Sequence, residues 1–191
     1  MTASVTSERY RLALPVKAAF MAWWHALSDE AARGQLKADR AILRRCENLT
    51  DVTLSAAFQR VYWTLHAAHT GPAWAPWQQE RIAALVALSA HVRGAGALSL
   101  PRAMHQTVGG SDRAGVSELR FKRLLESPDI DSLFTGLRRV MPLIDHQVDV
   151  GSMAQDVFGW GDGVRKRWAY AYYDPTSTPT ETSPARAAAS A

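Results

Sequence analysis

One stretch of the sequence reads Val116-Ser117-Glu118-Leu119-Arg120-Phe121-Lys122-Arg123-Leu124-Leu125. When this stretch is drawn as a helix, it has two different faces. Ser117 can cap its start, and Glu118 then lies in the first turn, where the helix dipole favours negative charge. One face is apolar and is expected to enter a core; it consists of Phe121, Leu124 and Leu125. The other sides carry three cations: Arg120, Lys122 and Arg123. Alone, the segment is compatible with an ordinary basic surface helix or with a helix that binds an anion.

The chain around this stretch has the composition of a folded protein. It contains 191 residues, of which 47% are hydrophobic, so one domain with a sizeable core is expected over residues 1–173. Residues 174–191 are rich in Pro, Ser, Thr and Ala, which predicts a disordered tail. The N-terminus has no apolar secretory segment, so we expect a cytoplasmic protein. The single cysteine, Cys46, excludes an internal disulfide and any cysteine metal cluster.

Helical periodicity extends through most of the sequence. Pro15 can open a helix whose apolar positions include a tryptophan pair, Trp23 and Trp24. That pair could stack on bases, but its spacing favours core packing. Thr50 or Asp51 can cap a later helix. No strand pattern of convincing length occurs, so the sequence predicts an all-α fold, a compact bundle of about eight or nine helices of uneven length.

A row of cations follows the first helix. Arg33, Lys37, Arg40 and Arg44 recur at helical spacing, and Arg45 lies beside them. Only Asp39 and Glu47 are close enough in sequence to compensate for this charge. The row is either a solvated face or a phosphate-binding edge. Two further basic clusters occur later in the chain, Arg138 with Arg139, and Arg165 with Lys166.

The sequence contains no recognisable catalytic motif. Metalloprotease, nucleophile-elbow and nucleotide-binding patterns are absent, and the glycines between residues 94 and 115 lack the ending of a phosphate loop. His66 and His69 could ligate a metal, but no third ligand is found at a supporting spacing. We therefore predict a binding protein without a metal or cofactor, and not an enzyme.

Several short motifs together resemble those of the CasB family, the small subunit of the type I-E CRISPR surveillance complex Cascade. The resemblance covers roughly residues 14–173. Its motifs, in chain order, are Phe20 to Trp24 with Leu27, Leu43-Arg44-Arg45, Val116 through Leu125, Leu137-Arg138-Arg139, Val148-Asp149-Val150, and Trp160 followed by Arg165, Arg167-Trp168 and Tyr172-Tyr173.

The resemblance implies a non-catalytic subunit in antiviral defence. Such a subunit pairs with a second copy, contacts the backbone and large subunits and the CRISPR guide RNA, and helps to hold the displaced strand of the target DNA in the R-loop. Base pairing then reads sequence, and this chain needs only sequence-independent phosphate contacts. No membrane is involved.

The predicted nucleic-acid-binding residues come from two arguments. The resemblance implies Arg44, Arg45, Arg120, Lys122, Arg123, Arg138 and Arg139, with Arg165 and Lys166 added from the last basic cluster. The cationic row adds Arg33, Lys37 and Arg40. An alternative from a different class is a protein-only helical scaffold, in which these same residues dock neighbouring subunits. Whether Gly109 to Gly115 orders on assembly is left open.

Overall fold

A computed structural model describes residues 10–29, 31, 33–106 and 114–174. Ten α-helices account for most of this part of the chain, which confirms the all-α prediction. They are α1 Leu14–Ser28, α2 Gln35–Arg45, α3 Leu49–Leu54, α4 Ala56–Ala67, α5 Pro76–His91, α6 Leu100–His105, α7 Glu118–Leu125, α8 Ile130–Val140, α9 Val150–Phe158 and α10 Asp162–Tyr172. The predicted tail lies almost entirely outside the described residues, as does most of the Gly109 to Gly115 segment.

Helix α5 lies at the centre of the fold. All residues from 82 to 91 are buried, so this part of the helix is enclosed on every side and not only along one stripe. Helices α1, α2, α3, α4, α8 and α9 pack against it. Four of the buried positions are alanine (residues 83, 84, 87 and 90), whose small side chains let neighbouring helices approach closely.

The tryptophans of the first and last helices pack in or against the core. Trp24 and Trp168 are fully buried, and Trp23 packs against the core from its edge. Cys46 is also buried, and burial raises the pKa of its thiol, so the side chain is a core residue rather than a reactive one.

Helix α3 begins two or three residues earlier than the sequence predicts, because its cap is Asn48 and not Thr50 or Asp51. The side chain of Asn48 caps it by accepting from the backbone N–H of Asp51, and neither Thr50 nor Asp51 does so. The Asp51 carboxylate instead accepts from the N–H of Glu47. A second cap, Ser55, separates α3 from α4, and this break accounts for one helix beyond the predicted number.

A short two-stranded pairing joins distant parts of the chain. Strand β1, Gly94–Ala95, pairs in parallel with strand β2, Gln147–Val148. Between α8 and β2, a 3₁₀ turn at Met141–Ile144 follows the end of α8, as expected from Pro142. The pairing holds the segment that follows α5 against the segment that follows α8.

Gly96 is expected to be intolerant of a side chain. A Cβ atom at this position would lie 2.6 Å from the Val148 nitrogen and 2.9 Å from its Cα, and backbone atoms cannot rotate away. We therefore expect Gly96→Ala to lower the free energy of unfolding by about 1–3 kcal/mol in urea denaturation. Gly94→Ala is the control, because no atom lies within 4 Å of its added Cβ. Equal stability of the two variants would contradict the close contact of Gly96 with the Val148 backbone.

Candidate nucleic-acid interface

The cationic row of α2 lies along a groove of about 420 Å³. We call it the α2 groove; the basic residues that line it are Arg33, Lys37, Arg40, Arg44 and Arg93. Arg45 is exposed but does not line the groove. Leu43 on the same helix is fully buried, so the core fixes the face that α2 presents outward.

Arg40 differs from the other cations of the α2 groove because the fold uses its guanidinium. Its Nε donates to the carbonyl of Ala90 at 3.1 Å, and its other nitrogens donate to Leu27 and Val92. These acceptors include two carbonyls at the C-terminal end of α5. Burial, with the charges of Arg44 and Arg93, lowers the pKa of Arg40. Arg40 therefore anchors α2 to α5, while Lys37 and Arg44 are exposed.

The only acidic residue within α2 does not neutralise this row. Asp39 is buried and pairs with Arg60 of α4, and it also accepts from Gln35 at 2.7 Å. Burial alone would raise the pKa of Asp39, but the hydrogen bonds from Arg60 and Gln35 outweigh it and lower that pKa. The α2 face therefore stays cationic.

A second basic groove, of about 730 Å³, lies between α7 and α8. This α7–α8 groove is lined by Arg120, Arg123 and Arg139, and also by the carboxylates of Glu126 and Asp131. Its shape follows from close helix packing. A Cβ on Gly136 would lie 2.6 Å from Leu124 Cδ2, so the glycine makes room for that side chain.

The inward face of α7 fixes the direction of its arginines. Phe121 is fully buried and stacks on Tyr172, with ring centroids 3.9 Å apart and planes 7° apart. Because this face is held by α10, Arg120 and Arg123 are left exposed. Ser117 occupies the N-cap position, but its hydroxyl makes no capping hydrogen bond.

The remaining predicted site residues line neither groove. Lys122 is exposed, 3.9 Å from Glu126. Arg138 donates to the Glu47 carbonyl at 3.1 Å and lies over the Phe134 ring. Lys166 is exposed on α10.

Arg165 is held within the fold by three neighbours. It donates to the Ser127 carbonyl at 2.7 Å, pairs with Asp162 at 3.6 Å and lies over the Trp160 ring. Much of its binding capacity is therefore used inside the protein.

Sequence reasoning missed Arg93. It follows the end of α5 and belongs to no periodic row of cations, so no pattern marks it. The N–H of Arg93 donates to the His146 carbonyl at 2.9 Å, and this contact between distant segments brings its side chain to the α2 groove.

His91 lies under this cationic surface and is 9% exposed. Burial, followed by the charges of Arg138, Arg44, His146 and Arg40, lowers its pKa to about 4. Its folded-state pKa is below the unfolded value, so the native state binds the proton less well than the unfolded chain. The contribution of neutral His91 to the free energy of unfolding is therefore complete above the unfolded pKa of about 6.5, and it is lost as pH falls toward 4.

We expect the titration of His91 to lower the free energy of unfolding by about 3 kcal/mol between pH 7 and pH 4. The test is urea denaturation of the wild type and of His91→Gln across this range. Other carboxylates titrate in both proteins, so only the difference between the two pH profiles reports on His91. Parallel profiles would contradict the prediction.

Both grooves have a lining that is suited to binding anions. Neither groove is lined, among the described residues, by a histidine or a cysteine. In the same part of the chain, no three His, Cys, Asp or Glu side chains converge to hold a metal ion. Nor is any described helix both long and apolar enough to cross a membrane. The arrangement offers clustered guanidinium and ammonium groups, which bind phosphates.

A family model for CRISPR-associated protein Cse2 matches residues 39–173 of this sequence. The chain belongs to this family. The match confirms the resemblance to the type I-E small subunit, CasB, which the sequence motifs indicated. The whole α7–α8 groove lies inside the matched range, whereas Arg33 and Lys37 precede it. No curated protein matches the chain.

A solved structure supports the same fold. The chain is similar to one in the crystal structure of E. coli Cascade bound to a PAM-containing dsDNA target, with a TM-score of 0.58. The two share 19% sequence identity, and the similarity covers 80% of this chain and 92% of that one. At this identity the likeness concerns the helical fold, and it extends over nearly all of the Cascade chain.

Proposed function

We propose that this Cse2-family chain is a non-catalytic subunit of a type I-E Cascade complex and that it stabilises the R-loop. Its α2 groove and α7–α8 groove hold the displaced, non-target DNA strand by its phosphates. Single-stranded DNA carries a charge on every nucleotide, so clustered cations bind it without reading its sequence.

The observation that carries this proposal is the convergence of Arg120, Arg123 and Arg139 in the α7–α8 groove. Arg120 and Arg123 come from one helix and Arg139 from the next, and all three are exposed. A groove that joins three guanidinium groups from two helices can follow a phosphate backbone, whereas scattered surface arginines cannot.

The lining of the grooves supports contact with phosphates instead of bases. None of the described residues that line either groove is aromatic. Base stacking on aromatic side chains is the usual way to hold unpaired bases, so its absence there favours backbone contact. Binding that lacks sequence preference suits a complex in which the guide RNA reads sequence.

The predicted residues do not contribute equally to this proposal. Lys37, Arg44, Arg120, Arg123 and Arg139 are exposed in the grooves, and Arg93 joins them. Arg33 also lines the α2 groove. Arg40 is held by backbone carbonyls of the fold, while Arg45, Lys122, Arg138, Arg165 and Lys166 line neither groove. We therefore assign the latter six a secondary role at most.

A second candidate function is docking of neighbouring subunits through these arginines. Glu126 and Asp131 also line the α7–α8 groove, and such mixed charge is typical of protein interfaces. In this case the basic surface would contact the backbone and large subunits or a second copy, and it would make no contact with the displaced strand.

Co-purification distinguishes the two functions. The tagged chain is expressed with the other Cascade subunits and guide RNA, as wild type and with Arg44, Arg120 and Arg123 reversed to glutamate. We expect both proteins to enter the complex, and only the variant to lose the R-loop. Failure of the variant to enter would support docking, and failure of the wild type would contradict the proposed assembly.

A further inference from the structure

A third groove, of about 860 Å³, has the opposite character to the two basic ones. Helices α3 and α4 supply most of its walls, and the starts of α5 and α8 complete them. Leu54, Phe58 and Trp63 give it an apolar lining. Its charged lining residues are Glu80, Asp129 and Asp131, and no Lys or Arg is found among the described residues that line it. We call it the acidic groove.

The carboxylates of the acidic groove accept hydrogen bonds from backbone N–H groups or are exposed to water. Asp129 caps α8, and the hydrogen bond from the Ser132 N–H lowers its pKa. Asp131 accepts from the Leu49 N–H at 2.7 Å. Glu80 is exposed on α5. Three carboxylates with no Lys or Arg among the described residues of the groove repel phosphate, which makes this surface unsuited to nucleic acid.

Two large apolar side chains lie open to solvent on this surface. Leu54 is 79% exposed and Trp63 is 61% exposed. The Trp63 ring contacts Tyr62 and His66 edge-on, both at 5.3 Å between centroids, and much of its surface is free. An exposed tryptophan beside an apolar groove is the type of residue that anchors protein interfaces.

Charge complementarity identifies the chemistry of the partner. An arginine or lysine can contact the carboxylates of Glu80 or Asp129 and can also lie against the Trp63 ring in a cation–π contact. An apolar residue next to it can cover Leu54. A segment with both features fits this groove, and a nucleic acid or an acidic peptide does not.

We propose that the acidic groove docks a segment of another protein subunit, one that carries arginine or lysine beside large apolar side chains. The choice of Cascade as the assembly rests on the proposed function. The acidic groove shares Asp131 with the α7–α8 groove, but none of the arginines or lysines of the basic grooves lines it. Nucleic-acid binding and subunit docking therefore use surfaces of opposite charge on the same chain.

Zero-length cross-linking of the assembled, purified complex tests this proposal. A carbodiimide joins a carboxylate to a lysine amine that touches it, and mass spectrometry then identifies the linked peptides. We expect links from Glu80, Asp129 or Asp131 to a lysine of a different subunit. Links that join two copies of this chain, or protection of this surface by DNA or guide RNA alone, would overturn the proposal.

Variants provide a second measurement. It also detects a partner segment that has arginine but no lysine, to which the carbodiimide cannot form a link. Trp63→Ala and Glu80→Lys each change an exposed side chain, and circular dichroism verifies their fold. We expect each to be retained in the complex about tenfold less well than the wild type at raised salt. Tyr170→Ala is the matched control, since this exposed tyrosine does not line the acidic groove.

The outcomes separate this proposal from the proposed function. Unchanged retention of Trp63→Ala and Glu80→Lys, in complexes that still hold target DNA, would overturn the docking proposal and leave the strand-holding function intact. Weaker retention of these two variants together with normal retention of Tyr170→Ala would support docking, whatever the result for the arginine grooves. A wild-type chain that never enters Cascade would overturn both.

Discussion

Replacing Trp168 with alanine is expected to lower the free energy of unfolding by about 3–5 kcal/mol, a large part of the about 5–15 kcal/mol that stabilises a typical domain. Trp168 is 1% exposed and packs edge-on against Trp160, with centroids 5.0 Å apart. Its indole N–H donates to Asp156 at 2.8 Å. Removal of the ring therefore leaves a cavity and also takes a donor from a carboxylate that is itself buried.

Urea denaturation of the isolated chain measures this loss, and Trp63→Ala is the matched control. Trp63 is mostly exposed, so its replacement should change stability by no more than about 0.5 kcal/mol. Arg167 also donates to Asp156, at 2.9 Å, and this contact is retained in the Trp168 variant. Equal stability of the Trp168 and Trp63 variants would show that α10 does not anchor the core.

Reversal of Arg120, Arg123 and Arg139 to glutamate together is expected to weaken the binding of target DNA by the assembled complex about 100-fold at 0.1 M salt. Each phosphate contact on a single strand contributes about 0.7 to the slope of log affinity against log salt. Loss of three contacts should make that slope shallower by about 2. The loss should be the same for every displaced-strand sequence, because these contacts involve phosphates only.

The same change of charge outside the basic grooves provides the control. Arg11, Lys17 and Arg102 line neither the α2 groove nor the α7–α8 groove, so their reversal alters net charge without removing the proposed contacts. Titrations of both variants at several salt concentrations give the two slopes. Equal slopes would mean that net charge, and not the α7–α8 groove, governs binding.

The sequence predicts most of the helices because their apolar residues recur with helical spacing. It also predicts that Trp24 and Phe121 are core residues, and the structure confirms both. It does not predict that every residue of α5 from 82 to 91 is buried. Alanines are compatible with either a surface or a tightly packed core, and only the surrounding helices decide between the two.

The composition of the basic grooves is predictable only in part. Arg40 has the same helical spacing as Lys37 and Arg44, yet its acceptors are the carbonyls of Ala90 and Val92, which lie far away in the sequence. Arg93 has no periodic signal and reaches the groove through the pairing of β1 with β2. Long-range contacts of this kind decide which cations are free to bind, and a single sequence does not reveal them.

The charge of the acidic groove is also not predictable from the sequence alone. Glu80, Asp129 and Asp131 come from two helices that are about fifty residues apart in sequence, and each is unremarkable in its own segment. Only the packing of α8 beside α3 and α5 brings them together. Capping explains Asp129 at the level of sequence, but the combined charge of the groove is a property of the fold.

Photo-cross-linking of the displaced strand tests the central proposal most directly. A target DNA with 4-thiothymidine along its non-target strand is bound by the complete complex and irradiated, and the cross-linked peptides are identified by mass spectrometry. We predict links to peptides of this chain from α2, α7 or α8. Links confined to other subunits, with none to this chain, would contradict the proposal that its basic grooves hold the displaced strand.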